Sequence, residues 1–377
     1  MKVFDDIKRT ETRSKGEAEP HFAYLNYSAR IEAERLRSLI EEWVTLFPEQ
    51  HFKSWLTRFR SKLLEQHLSA FFELLVAKIY EVSGFSILEF DPNINNLTPD
   101  LLLQSPTGEK FYIECKVRLG GGSFFNEKSH IHSLVLDSIN KYPNKKYWIN
   151  YKVLKAGGEQ PSGKKLAQKI NCWLDGLNYE DVCNAHDYRA FNKVFTEKGW
   201  DIKAIAIPKS SIDNLSSDST LVGMRSRGAF WDNSTTKIKD EIKKKTTKYK
   251  NLNYPLVIAI SSHEIMSMYT CAQNVCFGDF GITEGEDLLQ QNGIFGREEK
   301  PKNKNLAGVL IFNECSAWNF PSRNIVGSIN PWINFDKFGW HPDMPMIKLF
   351  KNTVTKTEPF LVGSIFGLSK DFPESET

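Results

Sequence analysis

Between Lys62 and Val82 apolar residues recur at helical spacing (Leu64, Leu68, Phe71, Phe72, Leu75, Val76, Ile79), until Ser83-Gly84 stops the pattern. Three short runs with strand character follow at once: Phe85 to Phe90, about Pro99 to Gln104, and Lys110 to Val117. The turn Ser105-Pro106-Thr107-Gly108 joins the last two into a hairpin. A helix this apolar has to lie against the sheet that follows it. Gly120-Gly121-Gly122 then breaks the chain, a helix is expected from about Glu127 to Tyr142, and Tyr147 to Leu154 reads as a fourth strand. The order α-β-β-β-α-β, with a helix crossing between strands, implies a mixed sheet with helices on its faces.

The flanking segments fit an α/β class. Residues 1 to about 20 are polar and expected to fray, and helices are expected over 28–46 and from about Pro48 to Arg60. Beyond the fourth strand, helical patterns at Gly163 to Leu177 and Thr235 to Lys250 alternate with strands at Ile202 to Ile207, Pro255 to Ser261 and Leu306 to Phe312. Three parts are expected: an N-terminal helical segment over 1–60, a core over 61–155, and an α/β elaboration over 156–377 that packs on the core or extends its sheet.

Net charge is only +3, from 49 basic and 46 acidic residues, so a basic surface for nucleic acid has to be local. Met1-Lys2-Val3-Phe4-Asp5-Asp6 has no apolar run of the secretory type, and no window reaches the roughly 18–20 apolar residues of a membrane span. Six cysteines (Cys115, Cys172, Cys183, Cys271, Cys276, Cys315) form no CxxC pair and read as reduced, mostly buried thiols of a cytoplasmic protein.

The hairpin carries the chemistry. Pro99-Asp100 opens one strand and Glu114-Cys115-Lys116 closes the other, so two carboxylates and a lysine meet at one end. Phosphodiester hydrolysis needs a nucleophilic water, neutralised phosphoryl oxygens and a stabilised leaving oxygen, and a bound Mg²⁺ serves all three. Mg²⁺ takes one or two carboxylates and keeps waters, a demand that Asp100 and Glu114 meet. Glu114 and Lys116, two apart on a strand, share a side, while Cys115 turns toward the core. The Lys116 ammonium beside two acids suits a role in orienting the water, and the Cys115 carbonyl is an additional candidate ligand.

Pro-Asp, a spacer and Glu-x-Lys resemble the PD-(D/E)xK, or restriction-endonuclease-like, nuclease superfamily, and the helix before the hairpin fits that topology. The resemblance implies a restriction-endonuclease-like core and a Mg²⁺-dependent endonuclease, with Mn²⁺ as a substitute. It implies nucleic acid as partner, DNA ahead of RNA, and a role in restriction or phage defence, as a homodimer or within a defence complex. Phe72-Glu73-Leu74-Leu75 looks like the Phe-Glu of the first helix in Mrr-like members, which makes Glu73 the third acid. The helical wheel instead places Glu65 inside the apolar arc and Glu73 just outside it, so Glu65 stays open as the alternate. Shorter strings, among them Tyr147-Trp148-Ile149-Asn150-Tyr151 and Tyr254-Pro255-Leu256-Val257-Ile258-Ala259-Ile260, resemble a group of uncharacterised bacterial proteins of this fold, over about residues 60 to 340.

Other basic residues have two readings each. Arg118, after the third strand, is a phosphate contact or an exposed strand-end arginine. Lys141 closes the expected crossover helix near the site or simply complements a helix C-terminus. Lys237 to Lys250 holds seven lysines, Lys243, Lys244 and Lys245 among them, forming a solvated face or a phosphate-tracking surface, with Trp231 and Tyr249 stacking on bases or buried. The glycines at 120–122 suit a loop beside the site. Two readings from other classes compete with cleavage: a nucleic-acid-binding module that does not cut, and a structural or interaction subunit.

Overall fold

A computed structural model of the chain describes residues 1–119, 127–209, 220–225, 234–263, 267–283, 286–290, 292–333, 339–350, 353–355, 357–358 and 360–375. Four helices come first: α1 (His21–Tyr27), α2 (Ile31–Trp43), α3 (Glu49–Phe59) and α4 (Leu64–Val82). The chain start, expected to fray, packs with them. Val3 and Phe4 are buried, and their amides donate to Glu41 Oε1 at 2.9 and 3.0 Å. Two apolar side chains beside a helix carboxylate suffice to anchor a polar terminus. α4 is the apolar helix that the spacing predicts, with Phe71, Phe72, Leu75 and Ile79 fully buried.

The three strands after it are β1 (Ser86–Phe90), β2 (Leu101–Gln104) and β3 (Lys110–Arg118), paired antiparallel in sequence order. The chain then forms a second compact unit and returns. Unit one comprises Met1–Glu11, Pro20–Gly120 and Asp232–Thr377, and unit two comprises Thr12–Glu19 and Gly121–Trp231. These limits differ from the expected boundaries at 60/61 and 155/156.

Unit two contains α5 (Glu127–Asn140), β4 (Tyr147–Lys155), α6 (Gly163–Asp175), α7 (Tyr179–Asn184), β5 (Asn192–Glu197), β6 (Trp200–Pro208) and β7 (Val222–Arg225). Its sheet runs β5-β6-β4-β7, over a core of its own that includes Leu136, Ile139, Ile149, Ile170 and Ile202.

Unit one resumes with α8 (Ser234–Lys248), β8 (Leu256–Ser262) and α9 (Met268–Cys276), followed by two hairpins, β9–β10 (Phe280–Thr283, Glu286–Leu289) and β11–β12 (Gly296–Arg297, Lys300–Pro301). The long strands β13 (Leu306–Asn313) and β14 (Asn324–Ile329) come next. Short strands close the chain: β15 (Met346–Ile347), the pair β16–β17 (Leu349–Phe350, Thr353–Val354) and β18 (Phe360–Leu361). Among the described residues its main sheet has eight strands in the order β1-β2-β3-β8-β13-β14-β15, with β18 on β14. β3, β8 and β13 are parallel neighbours, and the strands outside them are mostly antiparallel. The mixed sheet is flanked by helices. α4 packs in the core that holds Ile113, Val117, Val257 and Ala259, while α8 and α9 pack in the core that holds Tyr112, Ile258, Ile260 and Val309.

One expectation is corrected. The partner of β3 is β8, reached through α8, and not β4 reached through α5. The residues explain the choice. β8, Leu256 to Ser262, is buried along its whole length, as a central parallel strand covered on both faces must be. β4 leaves Trp148, Leu154 and Lys155 exposed, which suits a sheet covered on one face only.

Candidate active site

β3 outruns its hairpin partner. β2 pairs only as far as Leu101 opposite Ile113, while β3 continues along β8 to Arg118. Glu114, Cys115 and Lys116 therefore lie where the sheet forks. The amide of Tyr112 donates to Pro255 on the β8 side at 2.8 Å, so alternation turns the backbone groups of Cys115 toward the open β2 side. Asp100 stands there, one step beyond the Leu101–Ile113 pair, and its Oδ2 accepts the Cys115 amide at 2.5 Å. This bond takes the place of the strand hydrogen bond that β2 no longer supplies.

Glu114 is buried on the α8 side of β3. Its Oε1 is bound by the Lys245 ammonium, while its Oε2 is buried without a hydrogen-bond partner. Burial, then repulsion from Glu114 and Glu73, pushes the Asp100 carboxyl well up, against the pull of the Cys115 amide and Lys245. Burial would depress Lys245, but Glu114 and Asp100 outweigh it and raise it, so the ammonium stays charged. Burial and the neighbouring acids Asp100, Glu73 and Glu114 push the Cys115 thiol up, so it is a neutral packing group.

Of the two helix acids, Glu73 is buried and within electrostatic range of Asp100, while Glu65 is largely exposed. The wheel reading of the two is therefore reversed. α4 is buried nearly all round in its middle, and its first turn is not, so the apolar arc does not mark depth along the helix. Glu73 has partners of its own: Arg58 Nη1 donates to Oε2 at 2.6 Å, and His51 Nε2 stands 2.9 Å from Oε1. His51 Nδ1 reaches Asp91 Oδ2 at 2.9 Å. Burial disfavours the imidazolium, but Asp91 and Glu73 prevail and raise His51 to about 9.

Lys116 does not sit between the two hairpin acids as expected. Its Nζ is 3.1 Å from Glu65 Oε1, and the lysine on Glu114 is Lys245. Arg118 is half-buried at the end of β3, near Glu241 of α8. The lysine block divides. Lys243 and Lys244 are exposed and lie 3.6 and 2.8 Å from Asp240 and Glu241, whereas Lys245 turns inward. Tyr249 is buried, and its hydroxyl donates to the Thr98 carbonyl at 2.9 Å, so it is no stacking platform. Lys141 is exposed in unit two, just past the end of α5, which is not the link into β8. Trp231 and Gly120-Gly121-Gly122 lie outside the described residues.

Sequence reading missed Arg58, His51 and Asp91, and did not pair Lys245 with Glu114. A signal for Lys245 exists: Ile238, Ile242, Lys245 and Tyr249 follow the i, i+4, i+7, i+11 spacing of one helix face. A lysine on a face otherwise set by buried residues needs an acid across from it.

The donor set suits a small hard cation: two carboxylates, one of them with a buried unpartnered oxygen, and a backbone carbonyl on the same open edge. Among the described residues, no three His, Cys, Asp or Glu side chains already stand together as a metal-holding group. No helix among them is long and apolar enough to cross a membrane. No protein-family model, curated protein or solved structure matches the chain.

Proposed function

We propose that the chain is a metal-dependent nuclease with a restriction-endonuclease-like core, hydrolysing phosphodiester bonds with DNA as the first substrate to test. The observation that carries this reading is Asp100 locked onto Cys115 beside Glu114, whose second oxygen is buried without a partner at the fork of β2 and β3. The succession α4, β1, β2, β3, then α8 crossing into a parallel β8, supports the core assignment.

In this reading Asp100, Glu114 and the Cys115 carbonyl hold Mg²⁺ or Mn²⁺, which supplies Lewis-acid polarisation of the phosphate and a more acidic water when bound. The chain's own residues do the rest. Lys116 offers a positive charge at the mouth of the fork for the phosphoryl oxygens. Glu73 is fixed by Arg58 and His51, so its negative charge stays in place beside Asp100. In the overall reaction the water oxygen bonds to phosphorus, the ester P–O bond breaks, and the leaving oxygen ends protonated.

Asp100→Asn and Glu114→Gln each replace a carboxyl ligand with a neutral amide of nearly the same shape. Both should lower Mg²⁺-dependent cleavage of DNA by at least about 10²-fold while leaving the circular-dichroism spectrum unchanged. Full activity in either variant, or no cleavage of DNA or RNA by the unmodified chain with Mg²⁺ or Mn²⁺, overturns the assignment. A fold that binds nucleic acid without cutting it is the competing reading. That reading requires binding at low salt with no turnover.

A further inference from the structure

The two site lysines have different partners, and the difference leads beyond the general assignment. Lys116, on β3, has its ammonium 3.1 Å from a largely exposed acid, Glu65. Lys245, on the crossover helix, has its ammonium on the buried Glu114. No turn of α8 forces this contact by accident. Lys243 and Lys244 point outward, and Lys245 shares the inward stripe with Ile238, Ile242 and Tyr249. Asp100 and Glu114 repel one another across the fork, and among the described groups Lys245 is the cation bound to Glu114.

A divalent cation held by Asp100 and Glu114 needs the same carboxylate that Lys245 holds. Two cations competing for one acid are coupled with negative sign, and linkage makes the coupling reciprocal. We propose that Lys245 is a functional residue of this site, a tethered ammonium that holds the place of the divalent cation on Glu114 and is displaced toward the substrate phosphate when the cation binds. The inference rests on the nuclease reading. It makes Lys245 the cation that neutralises the buried Glu114 beside Asp100 before the divalent cation binds, and a source of positive charge afterwards.

The test uses Lys245→Met and Lys245→Gln, the second retaining a donor for Glu114 without the charge in case the first does not fold. Mn²⁺ alone, titrated by calorimetry into the full chain, should bind about fivefold or more tightly in the neutral variants than in the unmodified protein. Their kcat on DNA should fall, and Lys245→Arg should restore both values toward the original. A lysine that merely packs α8 against the sheet would not tighten Mn²⁺. Unchanged or weaker Mn²⁺ binding in the folded neutral variants overturns the proposal, as does tighter binding without loss of kcat. The nuclease reading fails separately. If Asp100→Asn and Glu114→Gln abolish Mn²⁺ binding and cleavage while the Lys245 variants behave as the unmodified chain, only the role of Lys245 falls. If the carboxylate variants bind Mn²⁺ and cleave normally, the site assignment itself falls.

Discussion

At the scale of single residues, the candidate site is a set of buried and half-buried acids, each with a cation or amide assigned to it. Glu73 is the clearest case. It is almost wholly buried, so removing Arg58 leaves a carboxylate with His51 as its remaining cation partner among the described residues. Arg58→Met should destabilise the chain by roughly 2 kcal/mol in urea unfolding, less than the roughly 3–5 kcal/mol of a fully buried pair because the guanidinium is partly exposed. His51 adds a pH dependence. Its pKa is raised in the folded chain to about 9 from the usual 6.5. Its contribution is therefore complete below pH 6.5 and is lost as pH rises through 9. Unfolding free energy should fall by on the order of 2 kcal/mol across that window, and His51→Gln should flatten the fall. Which acids gather at the fork was partly legible: the placement of Asp100 and Glu114 follows from the hairpin alone. Arg58 and His51 were not, because α3 approaches α4 only through tertiary packing, and nothing local in residues 49–59 marks two polar side chains that face an acid.

At the scale of elements, the expected helices and strands match α2 to α6, α8, β1 to β4, β6, β8 and β13 to within a few residues. Apolar periodicity and turn residues are local signals, so element bounds can be read without a fold. Pairing is not local. β8 and β4 were both apolar strands after a helix, and only the completeness of burial in β8 separates them. The parallel strand β13 depends on a close approach. The indole of Trp340 covers Gly308, and a Cβ there would collide with it. Gly308→Ala should cost about 1–3 kcal/mol in chemical denaturation, because a buried tryptophan ring cannot swing clear without loosening the core. A loss below about 0.5 kcal/mol would show that the ring yields.

At the scale of the whole molecule, the chain builds unit two between β3 and α8 of unit one, and each unit has its own hydrophobic core. Independence of the cores has a measurable consequence. Ile170 is buried in the unit-two core, and Ile170→Ala should destabilise that unit by roughly 2–4 kcal/mol. Hydrogen exchange should then rise in β4 to β6 and stay unchanged in β3, β8 and β13. Equal acceleration in both sheets would show that the cores unfold as one.

By itself the sequence determined the apolar helix, the hairpin and the two acids at its end, because each arises from residues within a few positions of one another. It also contained, unread, the inward stripe of α8. Tertiary structure alone decided that the strand beside Glu114 comes from residue 256 onward and that the lysine on Glu114 is Lys245 rather than Lys116. Those choices depend on which apolar strand can be buried on both faces, and which cation that burial brings to the buried acid. Such a comparison can be made only once the segments meet.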